Sequence, residues 1–242
     1  MISVAKPSTS NGRCLGLVGG LGVGATIHYY DKLAKAHEAR GRSLNIVIVH
    51  AEISRGFAYM EANDRDGLAE YLVGYIRRME AAGAEVAVVP AVTPHFCIHE
   101  LVARSPLPIL SIFDPLRREL AARNIRRIAV FGTRFVIQSA MFGELGDVEV
   151  VDLAPPEVDQ VHRHYVELAR TGKATPQQYA DLTAVAHELI QREGVDAIVL
   201  AGTDLSLLFD ETNITFPYVD CAALHLSAIL QDLLGENSQT AD

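Results

Sequence analysis

Short apolar runs recur along the chain at residues 14–18, 45–50, 86–90, 109–112, 128–131, 148–151 and 197–201, with a shorter one at Tyr218-Val219. Each has the length of a strand. Unbroken apolarity, rather than alternation, is what a strand covered on both faces requires. Between the runs the period changes. Leu68, Tyr71, Leu72, Tyr75, Ile76 and Met79 share one stripe across residues 67–82, and Tyr179, Leu182, Val185, Ala186, Leu189 and Ile190 share another across 176–193. Spacing of three and four residues predicts amphipathic helices. Gly83 and Gly194 stand where a left-handed cap is wanted. Each of these helices then leads into an apolar run.

The phrase helix, glycine, acidic residue, strand occurs once in each half. It ends on Ala91-Val92-Thr93 in the first and on Ala201-Gly202-Thr203-Asp204 in the second. Strands flanked by helices imply parallel pairing. The pattern therefore predicts an α/β chain of two similar lobes. Each is a roughly four-stranded, mainly parallel sheet covered by helices, and a pseudo-twofold relates the two around a shared cleft. The first lobe is expected to span residues 13–113 plus 216–235 and the second 114–215, with polar tails at 1–12 and 236–242. Ligands of open parallel sheets sit beyond the carboxyl ends of the strands. Here that means the loops after Val18, Pro90, Phe131 and Ala201.

Composition narrows the partners. With 242 residues, 49% of them apolar, the chain has material for a large core. A net charge of -9 argues against nucleic acid or a membrane surface as partner, since both attract basic patches. The three cysteines, Cys14, Cys97 and Cys221, are widely spaced and suggest neither a disulfide framework nor a metal pair. They read as small buried residues of a reducing compartment. No signal-like start or spanning run is present, so a cytoplasmic location is expected.

Four strand ends carry candidate chemistry. In Gly19-Gly20-Leu21-Gly22-Val23-Gly24-Ala25-Thr26, the glycines Gly20 and Gly22 open a helix start whose amides favour a small carboxylate. A bare tight turn is the plainer reading. A dinucleotide site is a third, with Glu52 as ribose acid about 30 residues beyond the glycines, where about 20 is usual. Thr93 either caps the next helix or bonds a ligand, and His95 is either a structural ring or an acid or base. Thr203 and Asp204 invite the same pair of readings, and Thr133, in Phe131-Gly132-Thr133-Arg134, offers another hydroxyl.

The ordered segments GLVGGLGVGATIHYYDKL, PAVTPH, FGTR, LAGTDLSLL and VDCAALH resemble the aspartate/glutamate racemase superfamily, most closely its aspartate racemase-like branch. The resemblance runs from Cys14 to about Leu230. It implies a homodimer that needs no cofactor and acts on a small acidic amino acid through two cysteines on opposite sides of the substrate. Those two positions fall on Ala91 and Gly202, with Val92 where the family has asparagine, Thr93 and Thr203 kept, and Asp204 in place of glutamate. Neither Ala nor Gly can exchange a proton. Two-cysteine racemisation is therefore not expected, and a relocated acid or base is sought in His95, Asp204 or, behind them, Glu52. Gly20, Gly22, Arg55, Ala91, Val92, Thr93, Thr133, Gly202 and Thr203 are the expected substrate contacts, Arg55 as the partner of a carboxylate. No metal site is expected. The alternative is a non-catalytic protein that binds or senses a carboxylate metabolite.

Overall fold

In the computed structural model, residues 12–235 are described. Apart from Gly12, the two expected tails lie outside them. The first sheet contains β1 (Leu15–Gly19), β2 (Ile46–His50), β3 (Val86–Val88) and β4 (Ile109–Leu110), in the order β2-β1-β3-β4. The second contains β5 (Arg127–Phe131), β6 (Glu149–Val150), β7 (Ala197–Leu200) and β8 (Tyr218–Asp220), in the order β6-β5-β7-β8. Every pairing is parallel. The two sheets thus have one topology, and each apolar run of the sequence corresponds to one strand.

Nine helices are described: α1 (Val23–Glu38), α2 (Ile53–Glu61), α3 (Arg65–Ala81), α4 (Ile98–Arg104), α5 (Phe113–Ala122), α6 (Arg134–Gln138), α7 (Pro155–Thr171), α8 (Pro176–Glu193) and α9 (Cys221–Leu234). The periodic stretch 176–193 is α8 itself, closed by Gly194 at φ 64°. Its start is fixed by Thr175, whose hydroxyl accepts from the Gln178 amide while the Gln178 side chain reaches back.

Both faces of the first sheet are packed. Val18, Ala87 and Val89 meet Leu72, Ile76 and Met79 of α3 on one side. Leu15, Leu17, Val86 and Val88 meet Tyr29 and Leu33 of α1 and Leu226, Ile229 and Leu233 of α9 on the other. The second sheet lies in a core that also takes in Phe113, Leu116 and Leu120 of α5. Each fully buried Leu or Ile contributes about 1.5–3 kcal/mol. The lobes therefore exchange helices: α5 follows the first sheet and packs in the second core, while α9 follows the second sheet and packs on the first. The segment from residue 216 onward, expected to belong to the first lobe, supplies one strand to the second sheet before α9 packs on the first. Strand β8 pairs with β7, and the crossing falls at Asp220, whose carboxylate caps α9 by accepting from Ala222 and Ala223.

Candidate functional site

The carboxyl ends of β1, β3, β5 and β7 converge between the lobes. After β1, Gly20 turns the chain at φ 85°. A Cβ there would overlap the Ala51 carbonyl oxygen and lie 2.7 Å from His50 Cε1, so the turn requires glycine. The Gly20 amide donates to Thr26 Oγ1, and that hydroxyl donates to the Gly22 carbonyl. Helix α1 begins at Gly22 with no side-chain cap of its own. Glu52 is accounted for locally, because its carboxylate caps α2 by accepting from the Ser54 amide and hydroxyl.

After β3, residues Thr93–Cys97 form a 3-10 turn. Thr93 makes no cap. Its hydroxyl lies 3.3 Å from that of Thr133, across the lobe boundary. Thr133 does cap, accepting from the Val136 amide at the start of α6. Ala91 and Val92 are buried. His95 is only 2% exposed, and both ring nitrogens are engaged with the backbone. Nδ1 donates to the Ala91 carbonyl at 2.8 Å, and Nε2 accepts from the Ile112 amide at 3.3 Å. Burial lowers its pKa to about 4, against the opposing pull of the Ala91 carbonyl and Asp114. The acid or base role expected of His95 is thus met by a neutral ring with no free nitrogen to offer a ligand. Its geometry fixes Ala91 and Ile112 in place.

After β7, Gly202 precedes a second 3-10 turn, Thr203–Leu207, again without a side-chain cap. The Thr203 hydroxyl instead donates to the Pro90 carbonyl at 3.2 Å, a second bond across the lobes. Asp204 is 1% exposed and lies against the first turn of α1: a Cβ on Gly22 would be 3.3 Å from Oδ2, and one on Gly24 2.5 Å from Oδ1. The protein's own carboxylate thus occupies the helix start where a ligand anion is expected. Burial raises the Asp204 pKa, opposed by the Tyr165 hydroxyl and by the amides of Ala25 and of Asp204 itself. Tyr165, from α7, donates to Oδ2 at 3.4 Å, whereas Oδ1 has no hydrogen-bond partner.

Tyr165 is the residue that sequence reasoning missed. A Cβ on Gly202 would overlap Cε2 of its ring and lie 2.6 Å from Cδ2 and 2.8 Å from Cζ. Of the expected contacts, Gly20, Gly22, Ala91, Val92, Thr93, Thr133, Gly202 and Thr203 lie at these strand ends, with the acid candidate Asp204 among them. Arg55 is not. It is exposed on α2, with its guanidinium 5.1 Å from the centroid of Tyr71 on α3. Cys14, Cys97 and Cys221 are buried thiols whose pKa burial raises, that of Cys97 to about 12. None is poised as a thiolate. A groove of about 1500 Å³ runs along α1 and α9 past Lys32, Arg123 and Asp220, and none of residues 91–93, 133 or 202–204 lines it. Among the described residues no helix is long and apolar enough to cross a membrane, and no cluster of three metal-ligating side chains occurs.

Two parallel sheets of one topology, meeting at glycine- and threonine-bearing strand ends, define a two-lobed α/β protein. The profile of the Asp/Glu/hydantoin racemase family matches residues 18–229, and the chain belongs to that family. An Asp/Glu racemase candidate from Yersinia pestis superposes with a TM-score of 0.77 at 25% identity, over 92% of this chain and 99% of that one. An aspartate racemase homologue from Pyrococcus horikoshii gives 0.76 at 22% identity, over 93% and 100%. The glutamate racemase of Mycobacterium leprae is 31% identical over 117 residues, 46% of this chain and 40% of that protein. The chain thus spans less than half the length of the curated relatives it matches.

Proposed function

We propose that this protein binds a small acidic amino acid or related carboxylate between its lobes and moves a proton on it without a cofactor and without a thiol pair. Asp204 is the acid/base group. The supporting observation is a carboxylate 1% exposed, with one oxygen unpartnered, at the mouth of α1 and beside the strand-end hydroxyls. Such a group has a raised pKa and no structural ion pair, the signature of a proton-handling residue. On opening, the Thr93 and Thr133 hydroxyls would exchange each other for the ligand carboxylate, and the Gly20–Gly22 turn would let the ligand approach the backbone closely.

The test is α-proton exchange in heavy water, followed by NMR on each enantiomer of aspartate and glutamate. Wild-type protein is expected to incorporate deuterium and Asp204→Asn to lose it. A binding protein is the second reading, favoured by the two hydroxyl bonds that hold the lobes together at Pro90 and Thr133. It is recognised by a ligand that raises the melting temperature with no exchange. With neither exchange nor stabilisation, the carboxylate reading fails.

A further inference from the structure

We propose that Tyr165 is a catalytic residue: its phenol has taken the volume of a side chain at position 202 and, backed by Asp204, carries the proton on the second-lobe side of the ligand, so that proton transfer is confined to one face. This rests on the carboxylate reading above. The first observation is steric. No side chain fits on Gly202 while the Tyr165 ring lies over it, since even a Cβ would fall within the ring's contact distance. The second is the hydrogen bond from the phenol to Asp204 Oδ2, next to the orphaned Oδ1. Phenol and carboxylate thus form one relay from the strand end to the start of α1.

The opposite wall has no equivalent. Ala91 and Val92 carry no proton, both His95 nitrogens are committed to backbone groups, and the Cys97 thiol donates to the Pro94 carbonyl. The step is redox-neutral. The ligand α-C–H bond breaks and its proton passes to the phenol oxygen as the phenol proton passes to Asp204 Oδ2. The electron pair enters the ligand carboxylate as an enediolate, which the threonine hydroxyls stabilise by hydrogen bonding. Once the proton held on the phenol has exchanged with water, reversal returns a solvent proton to the same face. Inversion needs a donor on the other side, and the result is therefore exchange with retention of configuration.

The experiment combines heavy-water NMR with chiral chromatography on aspartate and glutamate. Wild-type protein is expected to deuterate one enantiomer while leaving its configuration intact. Tyr165→Phe should slow exchange at least tenfold with the ligand-induced melting shift preserved. Gly202→Ala should lower the melting temperature, and Tyr165→Ala in the same chain should recover part of the loss. Interconversion of enantiomers, exchange unchanged in Tyr165→Phe, or a Gly202→Ala protein as stable as wild type would each overturn the inference while leaving the carboxylate reading standing. Stabilisation by a ligand without exchange overturns the catalytic role as well. If wild-type protein shows neither exchange nor stabilisation, the carboxylate reading itself is lost and the inference falls with it.

Discussion

His95 and His225 are neighbouring neutral rings in the interior, and their protonation is linked to folding. The His225 Nε2 donates to the Leu110 carbonyl and its Nδ1 accepts from the Tyr29 hydroxyl. Burial lowers its pKa to about 3, and burial lowers that of His95 to about 4, both from the ordinary 6.5. Between those limits the unfolded chain binds more protons than the folded one, so their contribution to stability is present above pH 6.5 and is lost as the pH falls. Urea unfolding at pH 7 and pH 5 should show a loss on the order of 3 kcal/mol from the pair, reduced in His225→Gln. Asp204 works in the opposite direction. Its raised pKa means that ionisation costs stability as the pH rises above the ordinary carboxylate value. Asp204→Asn should therefore stabilise the protein by about 1 kcal/mol at pH 7, with the gain shrinking towards pH 4. Replacing Ala91 and Gly202 together by cysteine should not bring racemisation, because the Tyr165 ring occupies the space of the second thiol. Chiral chromatography after incubation with aspartate checks this.

The turn between α6 and β6 contains a run of left-handed residues, Ala140, Met141 and Phe142, at φ 47°, 53° and 64°. Side chains disfavour that region by about 1–2 kcal/mol each. Packing holds the run in place: the Phe142 ring lies 5.8 Å from Phe96 of the first lobe and 5.6 Å from Phe135 of the second. Ala140→Gly should thus stabilise by about 0.5–1 kcal/mol in thermal unfolding, whereas Phe142→Ala should cost about 3 kcal/mol or more. Such a run could not be read from Ala-Met-Phe, which has no turn chemistry. Regular elements were far more legible, because the buried strands are continuous apolar runs and α8 carries its own capping box. At the candidate site the hydroxyls of Thr93, Thr133 and Thr203 were legible as strand-end residues, but only Thr133 proves to cap. Tyr165 was not legible. It lies in α7 between Val161 and Leu168 at helical spacing, where a tyrosine looks like part of the packing stripe. Asp204 was visible as an acid, but its seat on α1 depends on the lobes meeting, which no local pattern records.

At the scale of the molecule, Thr93–Thr133 and Thr203–Pro90 join the lobes at the strand ends, while α5 and α9 join them through their cores. A substitution deep in α9, such as Ile229→Ala, should cost about 2–5 kcal/mol and shift the unfolding of both lobes together, so that probes placed in each report one coincident transition. The exchange of α5 and α9 also bears on how the chain can be divided. A fragment ending at residue 112 would leave Leu15, Leu17, Val86 and Val88 without the apolar layer that Leu226, Ile229 and Leu233 provide. Its complement, beginning at Phe113, would retain α9 with its Leu226, Ile229 and Leu233 face uncovered. Each piece alone should stay unfolded or aggregate, and mixed or co-expressed they should reassemble, as circular dichroism and gel filtration would report. Each repeat thus carries the missing wall of its sibling, so the doubled sequence behaves in folding as one indivisible object.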